Sequence, residues 1–278
     1  MTNYITEKLV STRLVRKVNW IVDKDEDEFT VPDDLTVNGT KFGSLQTALI
    51  KAAEFPSTLI NIEVLIGPHG RNISIDSLYL PNVSISGTSG TSNITGNLTL
   101  SNVVVNSING VNFFGGCYLT NTTMLNSNSI YFANFEANNS QLKFSRLIAD
   151  SVLIDNNSSV VVNSIFDVRP QDEGEAIVKV QNSSELILRG GADNIINNGY
   201  LLVSNNSSAN ISQLTAEKRI AATNYSQIYA PNLTLEDDTL IVAKNNSYIQ
   251  ISDEISGEIL YSPALNTIDY TNSQINAI

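Results

Sequence analysis

The 278-residue chain has one cysteine, one histidine, one tryptophan and two methionines, and only 16% of its residues are charged. With Cys117 alone, no intrachain disulfide can form and no cysteine-based metal site exists. His69 stands between Gly67-Pro68 and Gly70, so the single imidazole reads as a turn residue rather than as the base of a serine triad. Positive charge is scarce: 16 Lys and Arg against 28 Asp and Glu leave a net charge of −12. No face can then neutralise many phosphates, and nucleic acid is not expected as a partner. No apolar run approaches the roughly 20 residues of a membrane helix, so membrane insertion is not expected. Met1 to Lys8 lacks the apolar centre of a signal peptide, and synthesis in a cytoplasm without classical export follows as the expectation. No Gly-rich phosphate loop, zinc spacing or EF-hand loop is present, so neither a cofactor nor a metal is expected.

What the chain has instead is asparagine and serine, 35 and 31 of them, beside an apolar fraction of 42%. The apolar share supplies a core. Asn and Ser compete with helical backbone hydrogen bonds, and Asn tolerates left-handed conformations, so a chain rich in both must turn often.

Those residues recur in order. Asn139-Ser140, Asn157-Ser158, Asn182-Ser183, Asn206-Ser207, Tyr225-Ser226 and Asn246-Ser247 each precede a short alternating apolar stretch. Aligned on Ser140, Ser158, Ser183, Ser207, Ser226 and Ser247, the steps are 18, 25, 24, 19 and 21 residues. A loose period near 21 with a turn and a short strand in each unit is a solenoid pattern. Strands such as Leu142-Lys143-Phe144, Val152-Leu153-Ile154, Leu186-Ile187-Leu188 and Ile249-Gln250-Ile251 are too short for a two-sheet sandwich. Asn157, Asn182, Asn206 and Asn246 are expected to stack as amide ladders at the turns. At this period residues 57 to 278 hold about ten coils, a rod roughly 50 Å long at the spacing of neighbouring strands.

Residues 1–38 read as a separate attachment segment. Lys8, Arg13, Arg16 and Lys17 precede Trp20 and the acidic stretch Asp23, Asp25, Glu26, Asp27 and Glu28, and Arg13, Arg16, Lys17 and Trp20 are the candidate docking residues. From Ser44, a plausible N-cap, Leu45, Ala48, Leu49, Ala52 and Ala53 recur at helical spacing until Pro56, which predicts a helix near 44–55. A strand, Ile60 to Ile66, follows and closes at Gly67-Pro68.

The order Gly39-Thr40-Lys41-Phe42-Gly43-Ser44-Leu45, an Ala-rich helix and a strand ending in Gly67-Pro68 resembles the start of right-handed parallel β-helices of the pectate-lyase-like superfamily, which includes many bacteriophage tailspikes and tail fibres. The resemblance covers about 35 residues and implies that the helix caps one end of the solenoid. The fold expected is all-β, a right-handed parallel β-helix over residues 39–278 with that capping helix. The resemblance also implies assembly as a homotrimer.

For catalysis, paired carboxylates facing each other at roughly 5 to 9.5 Å would be required of a glycosidase. Asp167, Asp172, Glu173 and Glu175 are the candidates, with Asp150/Asp155 and Asp237/Asp238 as further pairs; all read equally as solvated turn residues. Sugar binding calls for exposed aromatics. Phe113, Phe132 and Phe144 fit core positions, whereas Tyr118, Tyr225 and Tyr248 fit an outward contact surface. The expected function is that of a non-enzymatic phage virion protein, a tail fibre, tailspike or head-decorating fibre, bound to other virion proteins through residues 1–38 and meeting host surface polysaccharide. A tailspike-type polysaccharide depolymerase is the alternative, and a bacterial surface adhesin the third reading.

Overall fold

In a computed structural model the chain is a parallel β-solenoid of about ten coils. The structure describes residues 16–27, 31–70, 72–88, 92–127, 130–170, 174–190, 194–196, 199–216, 218–235, 240–251 and 274–277. One strand displays the plan of a coil. Gln141–Asp155 runs for 15 residues, and successive parts of it pair in parallel with Ser159 to Val162, with Ile165 to Val168 and with Ile177 to Val180. Each coil therefore feeds three parallel ladders, here called the first, second and third faces. Along this strand Leu142, Phe144, Leu147, Ala149, Val152 and Ile154 are buried, and the residues between them point outward. Along each face the side chains alternate with period 2, so the first and third residues of short triplets such as Val152-Leu153-Ile154 and Leu201-Leu202-Val203 land inward and the middle one outward.

The corner between the third and first faces carries the repeat. Ser77, Asn102, Asn121 and Asn139 hold it with one left-handed residue each; from Asn156-Asn157 onward it has two, at Asn182-Ser183, Asn205-Asn206, Asn224-Tyr225 and Asn245-Asn246. Asn is suited to this conformation because its short amide can hydrogen-bond locally. Two ladders of side-chain amides climb the corner. Asn102 donates to Asp76, Asn121 to Asn102 and Asn139 to Asn121. A second ladder starts on Asp155 and continues through Asn182, Asn205, Asn224 and Asn245, with N···O distances of 2.7–3.0 Å. Each ladder begins at an Asp, which can only accept.

This corrects the expected register. Of Asn157, Asn182, Asn206 and Asn246, only Asn182 is in a ladder rung; Asn157, Asn206 and Asn246 hold the second left-handed position beside it. The serine alignment also slips once. Buried Ser140, Ser158, Ser184, Ser207, Ser226 and Ser247 form a continuous column in which each backbone N–H donates to the hydroxyl of the next. Ser184, not Ser183, belongs to it, so the steps are 18, 26, 23, 19 and 21 residues. In Asn182-Ser183-Ser184 the two serines are equivalent by sequence, and only the doubled left-handed turn decides which one is buried.

Ser140→Ala is expected to cost about 1–3 kcal/mol, because it leaves the Thr122 N–H buried without an acceptor. The Ser140 hydroxyl accepts that N–H at 3.0 Å and has the carbonyls of Leu119 and Asn138 within reach of its single proton, at 3.0 and 2.9 Å. Chemical denaturation of the full chain measures it; an unchanged midpoint would show the column to be dispensable.

At the other end of the sequence, β1 (Lys17–Val22) lies between β2 (Thr40–Phe42) and β3 (Leu59–Val64), parallel to both. The boundary expected at residue 38 thus falls between two hydrogen-bonded strands of the solenoid. Helix α1 spans Leu45–Ala52, starting after Ser44, whose side chain makes no capping bond. Its buried Leu45, Ala48, Leu49 and Ala52 join the same core as Val18, Trp20 and Ile62.

Candidate functional site

The residues proposed for docking divide. Arg13 lies outside the described residues. Arg16 is exposed and donates to the carbonyl of Thr36 at 2.6 Å, and Lys17 is exposed at the start of β1. Trp20 is not a surface contact: it is fully buried, 5.0 Å from the Phe42 ring and 6.1 Å from that of Phe55, with its indole N–H on the Leu35 carbonyl. The alternation of β1 sends Val18, Trp20 and Val22 inward together, so the one tryptophan serves the core.

Each described carboxylate proposed for catalysis is engaged by a side chain that is not another carboxylate. Asp172, Glu173, Asp237 and Asp238 lie outside the described residues. Asp167 stands on the second face and pairs with Arg169 at 2.6 Å. Glu175 precedes the third-face strand Ala176–Gln181, accepting from Lys218 at 2.7 Å and from the Tyr200 hydroxyl at 3.1 Å. Lys218 first, and Tyr200 second, hold its carboxyl below the usual range, which keeps it charged. Asp150 accepts from the Tyr131 hydroxyl, and Asp155 starts the second amide ladder. His69 is partly buried with Nε2 3.0 Å from the Leu65 carbonyl, and burial pushes the Cys117 thiol well up. Among the described residues no group of three or more His, Cys, Asp or Glu is placed to hold a metal ion.

The tyrosines behave differently. Tyr118 points outward on the third face between Thr99 and Glu136, far along the rod from the other two. Tyr225 and Tyr248 come together. Tyr225 is at the corner leading into the first face and 65% exposed, Gln227 and Tyr229 follow it outward on the same coil, and Tyr248 stacks over Gln227 on the next. Tyr229 in turn lies in register between Asn210 and Gln250. The Tyr248 hydroxyl donates to Gln250 at 3.0 Å. The patch thus alternates aromatic faces with side-chain amides, the pairing of stacking surface and hydrogen-bonding groups that suits sugar rings.

Tyr229 was not among the residues singled out from sequence, although Gln227-Ile228-Tyr229 signals it: an inward Ile228 forces its neighbours out. Tyr225 carries a second signal. It is the only aromatic among the positive-φ residues described, at φ 63°, in a column otherwise filled by Asn157, Ser183, Asn206 and Asn246. A tyrosine there forgoes the local hydrogen bonding that makes asparagine tolerable in the left-handed region. Tyr225 is thus both exposed and held in a backbone conformation that its side chain does not favour.

Compared with known proteins, the chain matches no family model, no curated sequence and no solved structure. The fold itself defines the class: an all-β parallel β-solenoid whose corner between the third and first faces is held by serine and asparagine ladders and whose first face carries a tyrosine–amide patch.

Proposed function

We propose that the chain is a non-enzymatic virion protein of the tail-fibre, tailspike or head-decorating kind, whose rigid solenoid presents a sugar-binding side to a host surface. The observation that carries this reading is the patch of Tyr225, Tyr229 and Tyr248 interleaved with Asn210, Gln227 and Gln250 on the side of a laddered rod. A scaffold of stacked coils holds such groups at fixed spacing, so little ordering entropy is lost when an extended glycan lies across them. The resemblance of residues 39–68 to the pectate-lyase-like β-helices supports a right-handed winding with α1 as its end cap, and a homotrimer in the particle. Arg16 and Lys17, exposed at the first coil, remain the residues proposed to meet other virion proteins.

Binding to purified bacterial surface polysaccharide, immobilised and washed with the full chain, tests this. Replacing Tyr225 and Tyr229 by alanine is expected to weaken retention about tenfold or more, since each exposed aromatic platform contributes on the order of 1 kcal/mol. Equal retention by the double variant would remove the patch from the function. Release of reducing ends during the same incubation would replace the non-enzymatic virion reading by the depolymerase reading, and a stable monomer by mass measurement would remove the trimer.

A further inference from the structure

Asparagine followed by glycine is a reactive pair, because a residue without a Cβ leaves its own nitrogen open to the preceding side-chain amide. Asn38-Gly39 and Asn109-Gly110 are the two such pairs that lie wholly among the described residues. They are closely matched. Both glycines are exposed and both are left-handed, at φ +82° and +64°. What separates the pairs is hydrogen bonding.

At Asn38-Gly39 both reacting groups are held by one residue of β1. The Gly39 N–H donates to the Asn19 carbonyl at 2.7 Å, and the Asn38 Oδ1 accepts the Asn19 N–H at 2.8 Å. The nitrogen that would attack is pinned on an acceptor, and the amide that would be attacked is pinned beside it. At Asn109-Gly110 the nitrogen is unheld. Gly110 forms the bend between the strands Val104–Asn109 and Val111–Thr120, and among the described residues no acceptor takes its N–H. The Asn109 Nδ2 donates to the Ser107 hydroxyl at 3.2 Å, within its own strand.

We propose that Asn109-Gly110 is a site of self-modification and that Asn38-Gly39 is protected by Asn19. The Gly110 nitrogen bonds to Asn109 Cγ, the bond from Cγ to Nδ2 breaks, and Nδ2 leaves as ammonia with the proton that the Gly110 nitrogen gives up. A cyclic imide remains. Water then opens it: cleavage at Cγ gives aspartate, and cleavage at the main-chain carbonyl carbon gives isoaspartate, whose chain runs on through the former side chain. Either product adds a negative charge to a chain already at −12. Isoaspartate also inserts a methylene into the backbone just before Gly110, where there is no slack. The Gly110 carbonyl lies so close to Gly87 of the preceding coil that a Cβ on Gly87 would fall on it. The modified linkage therefore loosens this pair of coils. None of this rests on the sugar-binding reading.

The folded full chain, aged at mildly alkaline pH and physiological temperature and then digested, tests the site by mass spectrometry with fragmentation that separates isoaspartate from aspartate. Conversion at Asn109 is expected to run about tenfold or more ahead of Asn38, where two hydrogen bonds must break before reaction. In concentrated urea the two should converge, since the contacts that separate them are gone. The aged chain is expected to melt lower than the fresh one, and Asn109→Gln, whose longer side chain closes the ring far more slowly, should keep its melting temperature through the same treatment. Equal conversion of both asparagines in the folded chain, the same lag of Asn38 in urea, or an Asn109 that stays intact while the unfolded chain converts would each overturn the assignment. An equal loss of melting temperature in Asn109→Gln would overturn the effect on the coils.

Discussion

Phe135→Ala is expected to destabilise the protein by about 3–5 kcal/mol, the range for removing a fully enclosed aromatic ring. Phe135 is 1% exposed and lies 5.6 Å from the ring centroids of both Phe132 and Phe144, while Phe132 stacks on Phe113 at 5.5 Å. The four rings come from neighbouring coils and from all three faces, with Phe113 and Phe132 on the second, Phe135 on the third and Phe144 on the first. An alanine at 135 leaves a void bounded by two rings that are themselves pinned by strand pairing, so collapse into it is limited. Because a coil contacts chiefly its neighbours, the loss should be local. Hydrogen exchange is expected to quicken in the coils around residues 113–144 more than around 201–229; uniform quickening, or a loss below about 1 kcal/mol, would show that the rings do not form the supporting column described.

Gly87→Ala is the second large effect, and it acts through backbone rather than core. A Cβ at Gly87 would fall on the carbonyl oxygen of Gly110 in the next coil, well inside any separation seen for real Cβ atoms, with the Ser92 hydroxyl also near. Gly110 itself sits at φ +64°, so the two glycines make a close approach that neither neighbour can yield by changing a rotamer. The coils must part locally, at about 3 kcal/mol by the usual cost of overpacking. Thermal unfolding of the variant measures this. The paired substitution Gly110→Ala should not rescue it, because a side chain there adds left-handed strain instead of room; an unaltered melting temperature for Gly87→Ala would contradict the close approach.

Much of the architecture was legible in the residues. Short alternating triplets between Asn- and Ser-rich turns required many short strands and frequent corners, and the burial of Phe113, Phe132 and Phe144 followed from that alternation. The candidate site was legible in part. Tyr225 and Tyr248 were picked for their periodic placement in the repeat, and they do share a side of the rod, but Tyr118 belongs to another face. Trp20 was misread because a lone tryptophan beside basic residues looks like a docking group, and the strand that encloses it, β3, is more than 35 residues away. The difference between Asn38-Gly39 and Asn109-Gly110 was not legible at all, since Asn19 meets the first pair only through the pairing of β1 with β2.

Alternation and turn preference are local properties, carried by each stretch of a few residues. From them alone came a chain that must be β, must turn at its asparagines and must bury every second residue between turns. Which coil meets which, and which outward side chains share a face, depends on the exact number of residues between corners. One extra left-handed residue, as at Asn156-Asn157, moves the buried position by one and turns every later side chain with it. That sum runs over loops of unequal length, so only the stacked structure could assign Ser184 to the buried column, Trp20 to the core, and Asn19 to the side of Asn38-Gly39.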